Sequence, residues 1–256
     1  MVRRLLELVG LARRPDDDWA RLADRQDRRP RPVDPALRDR ARALHQHLTR
    51  FLHASDPWML RHAGVADTDL PPGTEWHWRP GLLRGRIIPA AVAEPPSGHR
   101  LGQDAALWHD CPHRALILRQ SARLQPEGRH ALGIEVLGFA GSFLSLTLDL
   151  PGAMLDGVDA ERILQLDMVG DAERPIRLYA RINLVQGPNT EAMLRELGHP
   201  VAGQDNLRRV EFDLAYANLA NRPVERAWLD LILESPRMNA LAIRDIRLSC
   251  RPRARI

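Results

Sequence analysis

Lysine is absent from this chain of 256 residues, so all 37 of its Lys and Arg residues are arginines. Phe and Tyr are scarce, with four and two residues, although six tryptophans are present. No uninterrupted apolar run approaches the roughly 18 residues of a membrane-spanning helix, which excludes a polytopic membrane protein. Hydrophobic residues at 44 % and charged residues at 27 % are ordinary globular values and exclude a disordered or collagen-like chain.

Cysteine is rare as well. Cys111 and Cys250 lie far apart in the sequence, and either pairing or free thiols are open at this stage. A small secreted domain would carry more cysteines, so a reducing compartment is the better interpretation. The first apolar stretch, Leu5 to Leu11, is interrupted by Glu7 and followed by two arginines instead of a small-residue cleavage site. We therefore expect synthesis and assembly in the cytoplasm and no insertion into a membrane.

The net charge of +4 is concentrated near the N-terminus. Residues 1–60 contain 13 arginines and nine acidic residues, whereas the rest of the chain contains equal numbers of the two. An arginine-rich arm suggests binding to nucleic acid. The interleaved acids, and the absence of tyrosine and lysine from the arm, argue against that function. We expect no direct contact with nucleic acid.

Residues 1–62 are predicted to form a short helical arm. Asp34 and Pro35 provide an N-cap and a proline at the first helical position. The apolar residues that follow are spaced by 4, 3, 4 and 3, as in a heptad stripe: Leu37, Ala41, Leu44, Leu48 and Phe51. Before this helix, Val2 to Ala12 and a segment carrying Trp19 and Leu22 are predicted to be helical, and the prolines within 28–32 predict a linker.

Residues 63–114 form a proline-rich segment that we expect to be irregular and to wrap a core. Four of the six tryptophans fall within this segment or just before it, and they are the expected anchors: Trp58, Trp76, Trp78 and Trp108.

From residue 115 onward the apolar residues alternate with polar ones, which indicates about eight half-buried strands. The run from Leu144 to Leu150 is the longest clear example, and Ile176 to Leu184 is another. We expect one helical insertion, Asn189 to Leu197. Strands without intervening helices favour an antiparallel, jelly-roll-like β-sandwich over residues 115–256, so the fold class is mainly β.

His109, Cys111 and His113 form the sharpest candidate for chemistry. In an extended segment these three residues share one face and could offer ligands to zinc or copper, or a Cys–His nucleophile pair. A second ligand pair is missing, and nothing nearby lowers the thiol pKa in the manner of a helix N-terminus. A buried cysteine beside half-exposed histidines is the preferred interpretation, and we predict no metal and no cofactor.

Catalytic motifs are also missing. Neither a P-loop nor a dinucleotide fingerprint is present, and Gly138 to Ser142 does not match G-x-S-x-G. Acids on the strand faces include candidates for a glycosidase pair, although a solvated face explains them more simply: Glu135, Asp149, Asp167, Glu211, Asp213 and Asp230. We predict that the chain is not an enzyme.

Two surfaces are candidates for binding. Trp76 and Trp78 share one side of an extended segment and could form a platform for sugar rings, with plugging of the sandwich as the alternative. The arm is the preferred docking element because short apolar stripes bounded by linkers are typical of segments that order against a partner. Its candidate docking residues are Arg3, Arg4, Leu5, Leu8, Val9, Leu37, Leu44 and Leu48.

Several segments resemble an alphaproteobacterial family of unknown function that we associate with the head spikes of phage-like gene transfer agents. They are Trp76–Pro80, Leu107–Cys111, Gly141–Pro151, Gly187–Glu191 and Val210–Tyr216. The C-terminal segments Ser235–Asn239 and Ile243–Leu248 are similar to the last hairpin of carbohydrate-binding jelly rolls. None of these segments is a catalytic motif.

The resemblance implies a head spike base protein. Such a chain would sit on capsid vertices as a homo-oligomer, contact the capsid protein and a spike fibre that engages surface polysaccharide, and leave the cell in the released particle. The alternative hypothesis is a soluble carbohydrate-binding accessory protein in surface-glycan metabolism, with a glycan as its partner.

Overall fold

The computed structural model describes residues 15–62, 70–122, 130–220 and 222–254. The chain divides into two compact units, Met1–Ala54 and Ser55–Ile256. The described part of the first unit is helical, and the second contains the strands. Within the described residues, no helix is long and apolar enough to cross a membrane.

Two helices of the arm follow the predicted pattern. Helix α1 spans Pro15–Arg28 and helix α2 spans Pro35–His62. The carboxylate of Asp34 accepts a hydrogen bond from the backbone N–H of Ala36 at 3.0 Å, which is the predicted N-cap. The prolines of the intervening segment cannot continue a helix, so residues 30–34 run without helical structure. The predicted helix from Val2 to Ala12 lies outside the described residues.

Thirteen strands and one short helix, α3 (Gly81–Arg84), lie in the described part of the second unit. The strands are β1 (Trp76–Trp78), β2 (Ala91–Ala93), β3 (His99–Arg100), β4 (Ala105–His109), β5 (Leu116–Ala122), β6 (His130–Val136), β7 (Leu144–Asp149), β8 (Arg162–Ile176), β9 (Leu178–Gln186), β10 (Asn189–Glu196), β11 (Val201–Asp213), β12 (Arg226–Leu233) and β13 (Asn239–Pro252).

The strands form two antiparallel sheets. The seven-stranded sheet has the order β11-β8-β13-β6-β5-β2, with β1 paired to β13. The six-stranded sheet has the order β10-β9-β12-β7-β4-β3. In both sheets, most strands that pair with each other are distant in sequence, as in a jelly roll. The predicted mainly β class and antiparallel sandwich are confirmed.

The alternating apolar residues form one core between the sheets. Leu144, Leu146 and Leu148 of β7 are fully buried, and the leucines of β12 and the apolar residues of β8 join them in the same cluster. The intervening side chains point away from the core because successive residues of a strand face opposite sides. This alternation leaves each sheet with an outer polar face.

Residues 63–114 are more regular than expected, because four short strands and α3 lie there. Strand β1 pairs with β13, which places Trp76 opposite Cys250 and Trp78 opposite Leu248. Strand β4 pairs with β7 in the middle of the six-stranded sheet. The segment therefore supplies strands to both sheets instead of only wrapping them.

The helical insertion predicted for Asn189 to Leu197 is wrong, since Asn189–Glu196 is strand β10. Its ladder to β9 runs from the pair Asn189 and Gln186 to the pair Glu196 and Tyr179. Gly187 turns the chain with a φ of 60°, a conformation that glycine adopts without strain. Pairing with β9 and burial of Met193 outweigh the helix propensity of this segment.

The run from Ile176 to Leu184 is divided between two strands. Ile176 ends β8 in the seven-stranded sheet, and Leu178 begins β9 in the six-stranded sheet. Arg177 is the corner between the two sheets, and Ile176 and Leu178 are both buried. Alternation continues across the corner, which is why the pattern indicated a single strand.

Candidate functional site

A groove of about 470 Å³ lies on the outer face of the six-stranded sheet. Its lining combines aromatic, charged and hydroxyl side chains from four strands and from the residue before β7: Trp108, Phe143, Ser145, Thr147, Arg181, Arg226, Trp228, Asp230 and Ile232. A cavity of this size with a few convergent polar groups is typical of a binding site for a small ligand.

Strand register places these side chains in rows across the sheet. Ser145 lies between Trp108 and Ile232 on its neighbouring strands. Two residues further along β7, Thr147 lies opposite Asp230. Trp228 is four residues from the row of Trp108 and two strands away from it, which corresponds to about 14 Å along the strands and about 10 Å across them. The two indoles therefore mark opposite ends of the groove.

Asp230 forms the charged floor between the two ends. The residue is 3 % exposed, and its carboxylate accepts two hydrogen bonds from Arg181, from Nε at 3.1 Å and from Nη2 at 2.9 Å. Asn183 donates to the same carboxylate oxygen at 2.9 Å, and Thr147 donates to the other oxygen at 2.6 Å. The free-energy cost of burying this negative charge is offset, because each of these groups donates a hydrogen bond to the carboxylate. The two hydrogen bonds from Arg181 orient its guanidinium at the floor.

The aromatic ends present accessible rings. Trp108 is 46 % exposed and Phe143 is 43 % exposed. One edge of the Trp108 ring lies against Gly98, where an added Cβ would come within 3.2 Å of the ring. At the other end, the Arg226 guanidinium lies 5.1 Å from the centre of the Trp228 ring. Both indoles are thus oriented by neighbours while part of each surface stays open.

A carboxylate clamp holds the turn that carries Phe143. The Asp110 side chain accepts hydrogen bonds from Ser142 N–H at 2.7 Å, Ser142 Oγ at 2.5 Å and Phe143 N–H at 3.1 Å. The Ser142 hydroxyl and the Phe143 N–H hold the pKa of Asp110 below its ordinary value. Gly141 is required here because an added Cβ would come within 2.8 Å of the Cys111 backbone nitrogen.

The hydroxyl of Ser145 is a polar group of the groove lining without a hydrogen-bond partner among the described residues. Its residue is 7 % exposed, and its Oγ is buried without a hydrogen-bond partner among the described residues. A buried hydroxyl of this kind loses free energy unless a ligand or water completes it. The lining of the groove therefore contains apolar surface and one buried hydroxyl that has no hydrogen-bond partner among the described residues.

Residues 3–256 match a family of unknown function, DUF6478. The chain belongs to this family. No curated protein matches the chain. The family assignment identifies relatives of the whole chain without assigning an activity to them.

Solved structures of three other proteins are similar to parts of the chain. The enzymatically active domain of tailspike protein 4 from bacteriophage CBA120 is 12 % identical over 61 % of this chain and 21 % of its own, with a TM-score of 0.37. The CBM22-1 xylan-binding domain of Paenibacillus barcinonensis Xyn10C is 9 % identical over 64 % of this chain and 94 % of its own, with a TM-score of 0.37. A putative sugar-binding protein of Bacteroides thetaiotaomicron is 11 % identical over 63 % and 92 %, with a TM-score of 0.38.

The pair Trp76 and Trp78 does not form an exposed platform. Trp78 is 5 % exposed and belongs to the core, and Trp76 is partly buried against that core. Both indoles face inward because β1 extends the seven-stranded sheet beside β13. This geometry corresponds to the alternative in which the two rings plug the sandwich, and the accessible tryptophans lie on the other sheet.

His109, Cys111 and His113 do not present their side chains together as a ligand set. His109 and Cys111 are buried, whereas His113 is exposed. The two ring nitrogens of His109 are occupied by the backbone, since Nδ1 accepts from Cys111 N–H at 3.2 Å and Nε2 lies 3.0 Å from Pro95 O. Within the described residues, no group of three or more His, Cys, Asp or Glu is arranged to hold a metal ion.

The two cysteines are free thiols in the structure. Burial raises the pKa of Cys250 to about 11, with the negative charge of Glu75 adding to the effect. Burial also disfavours the thiolate of Cys111, but surrounding backbone N–H groups, those of Ala140 and Ala115 first, bring its pKa below the ordinary value. Both thiols are buried in the hydrophobic core.

Of the predicted docking residues, Arg3, Arg4, Leu5, Leu8 and Val9 lie outside the described residues. The other three lie on α2, where Leu37 and Leu44 are half-buried and Leu48 is 52 % exposed.

Sequence reasoning missed most of the groove. One signal was available: in β12 the leucines at 229, 231 and 233 point inward, so Trp228 and Ile232 occupy the face expected to be polar. A tryptophan on the outer face of a strand is a candidate for ligand contact.

Proposed function

We propose that the chain is a carbohydrate-binding protein and that its site is the groove between Trp108 and Trp228. The observation that carries this proposal is the combination of an exposed indole, Trp108, and a half-buried indole, Trp228, at opposite ends of a hydrogen-bonding floor. A pyranose ring has an apolar C–H face that stacks on an aromatic ring and a rim of hydroxyls that both donate and accept hydrogen bonds. The separation of the indoles favours a linear oligosaccharide over a single sugar.

The charges of the groove favour a glycan over a nucleic acid. The positive charge of Arg181 is matched by Asp230, and that of Arg226 is matched by Asp149 at 3.2 Å. Carboxylates at the floor and rim repel a phosphate backbone, whose binding depends on an excess of Lys or Arg. An entirely apolar ligand is disfavoured too, because it would leave Ser145 and the exposed part of Arg181 without polar partners.

We further propose that binding is not followed by hydrolysis. A glycosidase needs one carboxyl group that holds a proton for the leaving oxygen. Asp230 receives donors on both oxygens, and Asp149 is paired with Arg100 at 3.1 Å and with Arg226. The carboxylate that lines the groove, Asp230, and the one paired with its Arg226, Asp149, are therefore both engaged as acceptors in ion pairs.

The role of a head spike base stays a prediction that rests on the sequence resemblance. A glycan-binding body is compatible with that role and with a soluble accessory protein. Cytoplasmic assembly, the capsid protein and the spike fibre belong to the first role only. Electron cryo-microscopy of purified particles, with the chain located on a capsid vertex or absent from it, decides between the two.

Calorimetric titration with a panel of linear oligosaccharides tests the proposed function. We expect binding by the wild-type chain and a loss of about 30-fold in affinity for Trp108→Ala and for Trp228→Ala, because each removes a stacking surface of the kind that dominates binding energy. Tyr216→Ala is the matched control, since Tyr216 is 76 % exposed and does not line the groove.

The proposal is overturned if no oligosaccharide of the panel binds the folded wild-type chain. It is overturned equally if the tryptophan variants bind as tightly as Tyr216→Ala. Chromatography of the oligosaccharide after incubation checks the absence of hydrolysis, and shortened products would contradict it.

A further inference from the structure

Helix α2 carries an apolar stripe that is accessible to a partner. Its members repeat at 3.5-residue intervals, as in a helix that packs lengthwise against another helix. Leu48 is 52 % exposed and Phe51 is 68 % exposed, whereas Leu37, Ala41 and Leu44 are half-buried. From Leu37 to Phe51 the stripe extends about 21 Å along the helix axis.

Both borders of the stripe carry an arginine and a histidine. At 100° per residue, Arg38 and His45 lie on one side of the stripe, and Arg40 and His47 lie on the other. All four are exposed. The acidic residue of this part of the helix, Asp39, lies on the opposite side and is paired with Arg42 at 3.0 Å. The stripe therefore fits a helix that has acidic borders.

Helix α1 has those properties. It contains five aspartates and three arginines in 14 residues, which makes it about as long as the stripe. Trp19 and Leu22 share one face, and Leu22 is 39 % exposed. Asp18 and Asp27 lie on the two sides of this face, with Arg25 beside Asp18. Arg21, which is paired with Asp18 at 2.8 Å, and Arg28 lie on the opposite side of the helix. The apolar face of α1 and its excess of acidic over basic residues thus complement the stripe of α2.

Along their described residues, helices α1 and α2 of one chain do not pack extensively against each other. Pro30 and Pro32 force the residues before them into extended backbone, so residues 29–34 form a stiff spacer. The end of α1 is tied to this spacer by a hydrogen bond from Gln26 Nε2 to Arg31 O at 2.8 Å. A close helical hairpin needs a chain reversal with axes about 8–10 Å apart.

We infer that the α2 stripe is the docking site for α1 of a second copy of this chain. Two chains exchange their α1 helices reciprocally, so that the same contact forms twice about a two-fold axis. Each contact buries Trp19 and Leu22 against the leucines and Phe51 of α2, and the aspartates of α1 lie beside the arginines of α2. This interface is independent of the glycan groove.

Charge reversal in the full-length chain tests the inference. The first variant is Arg38→Asp with Arg40→Asp, and the second is Asp18→Arg with Asp27→Arg. Light scattering after size-exclusion chromatography should show a dimer for the wild type. Each variant alone should dissociate at least about tenfold more readily, because attraction at both copies of the contact becomes repulsion.

A one-to-one mixture of the two variants is the decisive measurement. In the mixed dimer one contact has native charges and the other has both charges reversed, so we expect the dimer to return. Circular dichroism confirms that the variants are folded, which is expected because all four changed side chains are exposed. The inference is overturned by a monomeric wild type, by variants that still dimerise, or by a mixture that stays monomeric.

Discussion

The outer faces of the two sheets each contain a buried aspartate, and the two aspartates have almost the same surroundings. Asp230 of the six-stranded sheet is 3 % exposed, and Asp167 of the seven-stranded sheet is 4 % exposed. Asp230 is held by Arg181, Asn183 and Thr147, as described above. Asp167 is held by Arg209 Nε at 2.6 Å, Arg247 Nη2 at 2.9 Å and Gln165 Nε2 at 3.1 Å.

The two outer faces differ in the residues that surround the buried aspartate. Next to Asp230 lie the exposed indole of Trp108, the half-buried indole of Trp228 and the Ser145 hydroxyl, which has no hydrogen-bond partner among the described residues. Near Asp167 the strands continue with ion pairs, such as Arg251 with Glu211 at 2.8 Å. A buried carboxylate with its arginines is therefore a structural unit on one face and the floor of a groove on the other. Its neighbours, and not the ion cluster, determine whether a ligand can bind.

Removing the carboxylate of Asp167 or of Asp230 should produce the largest losses of stability. The two losses should differ, because the two outer faces differ. Asp167→Ala should cost about 3 kcal/mol of unfolding free energy, since the side chain of Arg247 is only 10 % exposed and loses its carboxylate inside the protein. Asp230→Ala should cost about 1–2 kcal/mol, because the side chain of Arg181 is 45 % exposed and can be hydrated. Urea denaturation at pH 7 measures both losses.

The same pair of variants separates stability from binding. Asp230→Ala should weaken oligosaccharide binding in addition to its effect on stability, because Arg181 loses its fixed orientation at the groove. Asp167→Ala should leave the affinity of the folded protein unchanged. Equal losses of stability, or equal losses of affinity, would contradict the distinction between the two faces.

Asp110→Ala should have an intermediate effect that depends on pH. The folded state lowers the pKa of Asp110, so its stabilising contribution is complete above the ordinary value of 3.8 and is lost as pH falls below it. Release of the turn at Ser142 should lower affinity about fivefold at pH 7, because Phe143 is no longer held at the groove.

Urea denaturation and calorimetry at pH 7, 5 and 3 check this prediction. The difference in stability between wild type and Asp110→Ala should be the same at pH 7 and 5 and smaller at pH 3. A difference that grows towards acid pH would show that the carboxylate does not act through its ionised form.

Ser145→Ala should have the smallest effect. Its hydroxyl has no partner in the described protein, so its removal should leave stability unchanged or raise it slightly. Affinity for an oligosaccharide should fall by about threefold, the value of one modest hydrogen bond. Ser249→Ala on the seven-stranded sheet is the matched control, since Ser249 is also buried in a strand. Equal affinities of the two variants would show that Ser145 does not contribute to the site.

Much of the fold was predictable because burial on one face of a strand leaves a period of two in the sequence. The predicted strands around Leu144–Leu150 and Leu229–Leu233 are confirmed on that basis. The β10 error has a physical cause, since an edge strand with one buried side chain carries little alternation and the helix propensity of its residues dominates the local signal.

The candidate site was less predictable, because proximity across strands is set by register. Trp76 and Trp78 looked like a pair because they are neighbours in sequence, but both face the core. Trp108 and Trp228 are 120 residues apart along the chain and meet in one groove only when β4, β7 and β12 are in register. Asp230, Arg181 and Thr147 come together in the same way.

The sequence alone determined the antiparallel sandwich, the helical arm with its N-cap, and the division into polar and apolar strand faces. These properties follow from local periodicity and capping, which each segment carries by itself. The tertiary structure decided which outer face has accessible aromatic rings, which aspartates are buried, and which tryptophans belong to the core. Those outcomes depend on pairing between distant strands, and a one-residue change of register would move every side chain of a strand to the other face.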